Sequence, residues 1–126
     1  MSVLVDTSIW VRFLTDRAPD AAALDRLLSF EDVSGHPYIY GELLMGDRGD
    51  RTSFLAQYEF VDEAPLIPDD EVVEFVRRRR LQSRGIGWID AHLLASALVG
   101  GLSLWTADAR LAALAGELGV AHRARP

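Results

Sequence analysis

At 126 residues the chain can build one hydrophobic core but not two, so a single domain over residues 1–126 is expected. Hydrophobic content of 49% and charged content of 25% are those of an ordinary soluble globule, and the absence of cysteine excludes disulfides and thiolate metal sites. The net charge of −6 argues against non-specific coating of nucleic acid, though not against a nuclease, whose metal ligands are themselves acids.

Ser2-Val3-Leu4-Val5-Asp6-Thr7-Ser8 opens the chain with three apolar residues, two of them β-branched, which fit a strand buried on both faces of a parallel sheet. The Asp-Thr-Ser cluster then falls at the strand's carboxyl end, where open α/β sheets place their ligands. The alternative is that Asp6 only caps the following helix, which runs to Leu14. After a turn at 15–19, Asp20 caps a second helix with Ala23, Leu24, Leu27 and Leu28 at helical spacing. Residues 31–34 are a weak second strand. Pro37 starts a third helix that carries Tyr38, Ile39, Leu43 and Leu44 inward and ends at Gly46. A fourth helix covers 51–60, and 64–67 read as an edge strand, where proline is tolerated.

Asp69, Asp70 and Glu71 load the first turn of a long helix expected to reach residue 83, as the macrodipole prefers. Gly85-Ile86-Gly87 breaks it. A helix at 90–99, a strand at 102–105, a helix at 108–118 and a minimal strand at 120–121 complete the chain. Strands alternating with helices imply a parallel α/β sandwich with right-handed crossovers. No apolar run approaches the roughly 18 residues of a membrane span, and residues 1–14 lack the basic and long apolar regions of a secretory leader. A cytoplasmic protein without a membrane partner is expected.

Most of the 19 acids fall in turns or on polar helix faces, but four lie among apolar residues, where a carboxylate is costly without compensation. They are Asp6, Glu42 (Tyr40-Gly41-Glu42-Leu43-Leu44), Asp90 (Trp88-Ile89-Asp90-Ala91) and Asp108 (Leu104-Trp105-Thr106-Ala107-Asp108). Asp6 and Asp108 follow buried strands and belong on one sheet edge; Asp90 and Asp108 open helices. Glu42 is expected to project from a stripe shared with Ile39 and Met45. Converging carboxylates without a basic partner repel one another, and a divalent cation resolves this. All-oxygen ligation selects Mg²⁺ or Mn²⁺ over zinc, and such an ion can activate a water toward a phosphodiester.

Four segments carry a resemblance. Val5-Asp6-Thr7-Ser8-Ile9-Trp10, Gly41-Glu42-Leu43-Leu44-Met45-Gly46, Gly87-Trp88-Ile89-Asp90-Ala91-His92 and Trp105-Thr106-Ala107-Asp108-Ala109-Arg110-Leu111 resemble, in order, the acidic motifs of PIN-domain ribonucleases, above all VapC-type toxins of bacterial toxin–antitoxin pairs. The resemblance spans essentially the whole chain. It implies a three-layer α/β/α sandwich with a five-stranded parallel sheet, and a Mg²⁺- or Mn²⁺-dependent endoribonuclease. It makes Asp6, Glu42, Asp90 and Asp108 the catalytic metal-site acids, with Thr7, Ser8 and Thr106 as supporting hydroxyls. It also implies an RNA substrate, a VapB-like antitoxin and a homodimer. One departure is mild: many relatives carry an aromatic where Ala109-Arg110-Leu111 stands.

Arg77, Arg80 and Arg84 would fall within about 60° of one another on a helix and form a stripe facing RNA phosphates; a solvated face balancing Glu71 and Glu74 is the other reading. Tyr38, Tyr40, Leu44 and Met45 beside Glu42, with Trp10 and Phe13 beside Asp6, would line a groove for a basic inhibitor helix, unless they are core. His36, His92 and His122 show no metal-ligand spacing. Two alternatives to the nuclease stand: a non-catalytic module of the same fold, and a phosphatase with Asp6 as nucleophile. Against the latter, Ser8 occupies the position of the second acid such phosphatases use, and the chain has no lysine. A dinucleotide-binding domain fails for want of a Gly-x-Gly-x-x-Gly turn.

Overall fold

Val3–Val5 (β1) is buried throughout and has parallel neighbours along both edges, as befits the central strand of a parallel sheet whose faces are covered by helices. In the computed structural model, which describes residues 2–123, Val33–Ser34 (β2) and Ser103–Trp105 (β3) flank it in the order β2-β1-β3. Val3 registers with Val33 and Ser103, and Val5 with Trp105. The connections are helical: Thr7–Leu14 (α1) and Asp20–Ser29 (α2), then Pro37–Met45 (α3), Thr52–Tyr58 (α4), Asp69–Arg79 (α5) and Trp88–Gly100 (α6), with Ala109–Glu117 (α7) after β3.

The core gathers where these helices meet the sheet. α1 turns Ile9 and Trp10 inward, and the Trp10 ring meets Phe13, Phe54 and Tyr58 at centroid distances of 5.8, 5.3 and 5.5 Å. Trp10 and Phe13 are therefore packed with the core and do not line an open groove. α6 buries Ala91 through Ala97 without interruption, as a helix apolar all round must be enclosed. No helix is long and apolar enough to cross a membrane among the described residues.

The sheet departs from the expected five strands: three are formed among the described residues, and the outer two are reduced to single bridges, Gly35 with Glu63 and Leu104 with Ala121. At the first edge, Gly35 donates to Asp62 O (2.7 Å) and accepts from Ala64 N–H (2.8 Å). The next rung would need the amide of residue 37, which is proline, so the ladder stops.

The helix from Asp69 also ends early, at Arg79 rather than 83. Arg80 turns left-handed (φ 55°), and Leu81 folds back to donate to Val76 O (3.0 Å) with its side chain buried. Burying Leu81 thus takes precedence over continuing the helix. On α3 only Ile39 and Leu43 are buried. Leu44 is 48% exposed and Met45 86%, so no inward stripe joins Ile39, Glu42 and Met45.

Candidate active site

The site forms where β1 and β3 end. Asp6 follows β1 directly, and its backbone N–H donates to Trp105 O at 2.9 Å, so the two strand ends lie side by side. Asp6 occupies the capping position of α1 but caps nothing with its side chain. Its buried Oδ2 instead accepts from Ser8 Oγ (2.9 Å) and from Thr106 Oγ1 (2.7 Å). Ser8 Oγ in turn accepts from Ala107 N–H (3.0 Å), and Thr106 Oγ1 from Asp108 N–H (3.1 Å). These hydroxyls tie the turn after β1 to the turn after β3. The helix-capping alternative for Asp6 is thereby excluded.

The other three acids follow one pattern. Asp108 caps α7, its Oδ1 accepting from Arg110 N–H (2.9 Å) and Leu111 N–H (3.0 Å). Asp90 lies at the third position of α6, two residues inside its start, and Oδ2 reaches back to Gly87 N–H at 3.0 Å. Glu42, exposed on α3, accepts Thr7 Oγ1–H on Oε1 at 2.7 Å. Each carboxylate is thus oriented through one oxygen, and its second has no hydrogen-bond partner among the described residues. Thr7, Ser8 and Thr106 each donate a hydrogen bond to one of these acids.

Asp90 feels the charges of two of the others. Burial holds the Asp90 carboxyl above its ordinary range, the Gly87 N–H partly opposes this, and the negative charges of Asp6 and Asp108 push it further up. No arginine or histidine forms an ion pair with any of the four acids among the described residues. Nor do three acids or histidines there converge closely enough to enclose an ion by themselves. That combination fits a hard cation which keeps several waters and meets the protein through one or two carboxylates. Asp6, Asp90, Asp108 and Glu42 are the residues that could hold such an ion.

The arginine stripe is not formed. α5 ends before Arg80, and Arg84, in the loop beyond, pairs with Glu117 at 2.6 Å. Arg110, which the spacing of basic residues had not singled out, follows Asp108 by two residues in the first turn of α7. Its side chain lies so close over Gly85 that a Cβ there would meet Arg110 Cδ at 2.5 Å. Gly85 also has φ +85°. Gly85→Ala should therefore cost about 1–2 kcal/mol in left-handed backbone strain, read as a lower denaturation midpoint, while displacing Arg110.

Comparison with known proteins agrees with this architecture. The PIN domain profile matches residues 3–117. "Ribonuclease VapC32" of Mycobacterium tuberculosis, in the CDC 1551 / Oshkosh and H37Rv strains, is 44% identical over 120 residues, 94% of each chain. The crystal structure of PAE2754 from Pyrobaculum aerophilum superposes with a TM-score of 0.58 at 20% identity, over 94% of this chain and 96% of that one, a likeness of fold. The acids at the strand ends, the profile match and the identity together make this chain a VapC-type member of the PIN-domain family.

Proposed function

We propose that this protein is a Mg²⁺- or Mn²⁺-dependent endoribonuclease and the toxin of a toxin–antitoxin pair. One observation carries the reading: the Asp90 carboxyl is held above its ordinary range by burial first and then by the negative charges of Asp6 and Asp108, and none of the three is in an ion pair among the described residues. Carboxylates held in mutual repulsion are a ligand set awaiting a cation. The similarity to proteins named ribonucleases supports RNA as the substrate.

When bound, the ion would polarise a phosphoryl oxygen and make a water acidic enough to attack at neutral pH. The chain's own contribution is orientation. Thr106 and Ser8 fix Asp6, Gly87 N–H fixes Asp90, and the first turn of α7 fixes Asp108. Glu42, held only through Oε1, keeps Oε2 free to accept a proton from the attacking water. Arg110, two residues after Asp108 and lying over Gly85, would offer a guanidinium to an RNA phosphate. Arg110→Gln should raise KM a few-fold and flatten the salt dependence of binding by about one charge, leaving the melting temperature unchanged.

The antitoxin would present arginine to these acids, since a guanidinium pairs bidentately with a carboxylate and excludes metal. Leu44 and Met45, exposed beside Glu42, supply apolar contacts for its helix. A homodimer is part of the same proposal. The decisive experiment incubates purified protein with total RNA, with Mg²⁺, with Mn²⁺ and with EDTA, and maps new 5′ ends. Metal-dependent ends are expected; none in any metal would overturn the nuclease. Co-expression with the adjacent reading frame tests the toxin role: persistent toxicity, or products that do not co-purify, would overturn it.

A further inference from the structure

Beside the acids lies a feature that the four-carboxylate arrangement does not use. The segment 80–87 takes three left-handed conformations, at Arg80 (φ 55°), Ser83 (φ 60°) and Gly85 (φ 85°). With the start of α6 and the end of α5 it encloses a cleft of about 160 Å³, lined by Gln82, Ile86, Gly87 and Trp88 and floored by Val76 and Leu81. That is several times the ~30 Å³ share of one water and well under the ~300 Å³ of a drug-sized pocket, the space for a single ring system.

Its wall is an aromatic in an unusual state. Trp10 and Trp105 are buried, whereas Trp88 is 46% exposed, two residues from Asp90. The ring is nonetheless held: it packs perpendicular to buried His92 at 4.9 Å, and His92 is itself fixed by Tyr38 at 4.8 Å and by Asp69 Oδ1 at 2.9 Å. An exposed aromatic already fixed in place loses little freedom when a planar group stacks on it. Gln82 adds an amide, which both donates and accepts. Gly87 joins the two sites, since it lines the cleft and gives its N–H to Asp90.

We infer that this cleft is a nucleobase subsite, in which Trp88 stacks one base of single-stranded RNA beside the scissile phosphate and Gln82 reads that base's edge. The inference rests on the nuclease reading. Only unpaired bases can be splayed onto a protein aromatic, so the substrate class is single-stranded RNA or a loop. Stacking tolerates any base, and the amide supplies the preference.

The test titrates short single-stranded RNA oligonucleotides, each with one varied base, into the protein in EDTA, where nothing is cut. Wild-type tryptophan fluorescence should be quenched on saturation, because the other two indoles are shielded. Trp88→Ala should weaken binding about tenfold or more, Trp88→Phe should retain most of it, and Gln82→Ala should level the affinities among bases at an unchanged melting temperature. Folded Trp88→Ala protein with wild-type affinity, or saturation without quenching, overturns the subsite. Quenching and binding without cleavage in any metal would overturn the nuclease reading and leave the subsite standing. Metal-dependent cleavage with an unchanged KM in Trp88→Ala would do the reverse.

Discussion

Asp6→Asn should lower cleavage by on the order of a thousandfold, the several kcal/mol that metal-assisted charge stabilisation supplies. The effect should be largest here because Asp6 is the buried member of the set and the one to which both neighbouring turns are bonded. Asn keeps an oxygen for Ser8 and Thr106, so the fold should survive while metal affinity falls, measured by calorimetric titration with Mn²⁺. Unchanged Mn²⁺ affinity would remove Asp6 from the ligand set. Asp90→Asn supplies a control of opposite sign in stability. The folded-state pKa of Asp90 is raised, so its contribution to stability is present below the unfolded value of ~3.9 and is lost as pH rises through the folded value. At neutral pH without metal, Asp90→Asn should therefore melt at or above the wild-type temperature. With saturating Mn²⁺ the order should reverse, because binding stabilises only the protein that retains its ligands.

Acidification should destabilise the fold through a residue outside the acid site. His36 is fully buried at the start of α3, where Nδ1 accepts Tyr38 N–H (3.1 Å) and Nε2 lies 3.2 Å from Ser96 Oγ on α6. Accepting on Nδ1 requires the neutral tautomer with its proton on Nε2, which then donates to Ser96. Burial first, and the nearby His92 second, lower its pKa from 6.5 to about 4. The unfolded chain therefore binds a proton between pH 6.5 and 4 that the folded chain refuses, and stability falls with pH across that window. The loss is roughly 3 kcal/mol, from about 1.4 kcal/mol per pH unit, and stability from this group is complete above pH 6.5. His36→Asn keeps a side-chain oxygen for the α3 cap and removes the titration. It should start less stable at pH 7, having lost the bond to Ser96, yet show a flatter stability–pH curve between 6.5 and 4. A parallel curve would exclude His36 as the titrating group.

The histidines also show how far residue spacing reads into the fold. His36, His92 and His122 lack metal-ligand spacing. Yet spacing does not reveal that His36 and Ser96, sixty positions apart, meet in the core. Nor does it reveal that His92 holds Trp88, although the Gly87-Trp88-Ile89-Asp90 motif already puts that indole beside an acid. The arginine stripe failed for a local reason: helical phase holds only while the helix continues, and it stops when Leu81 turns into the core.

What the amino-acid order determined by itself was local and periodic. An apolar triplet ending in Asp-Thr-Ser dictates a buried strand with its polar cluster at the tip. Pro37, Gly46 and the acids at 69–71 punctuate the helices, and the four ordered motifs identify the family. Those signals act over one strand or a few helical turns, within reach of neighbouring residues. What only the tertiary structure decided depends on groups distant in sequence. Hydroxyls from residues 8 and 106 converge on one oxygen of Asp6, Asp90 feels the charges of Asp6 and Asp108, and Arg110 lies over Gly85. The length of the outer strand beside Gly35 was settled in the same way, by the missing amide of Pro37 at the next rung. A carboxylate's ionisation and a ladder's last hydrogen bond depend on what stands a few ångströms away, and only the folded chain brings those partners within reach.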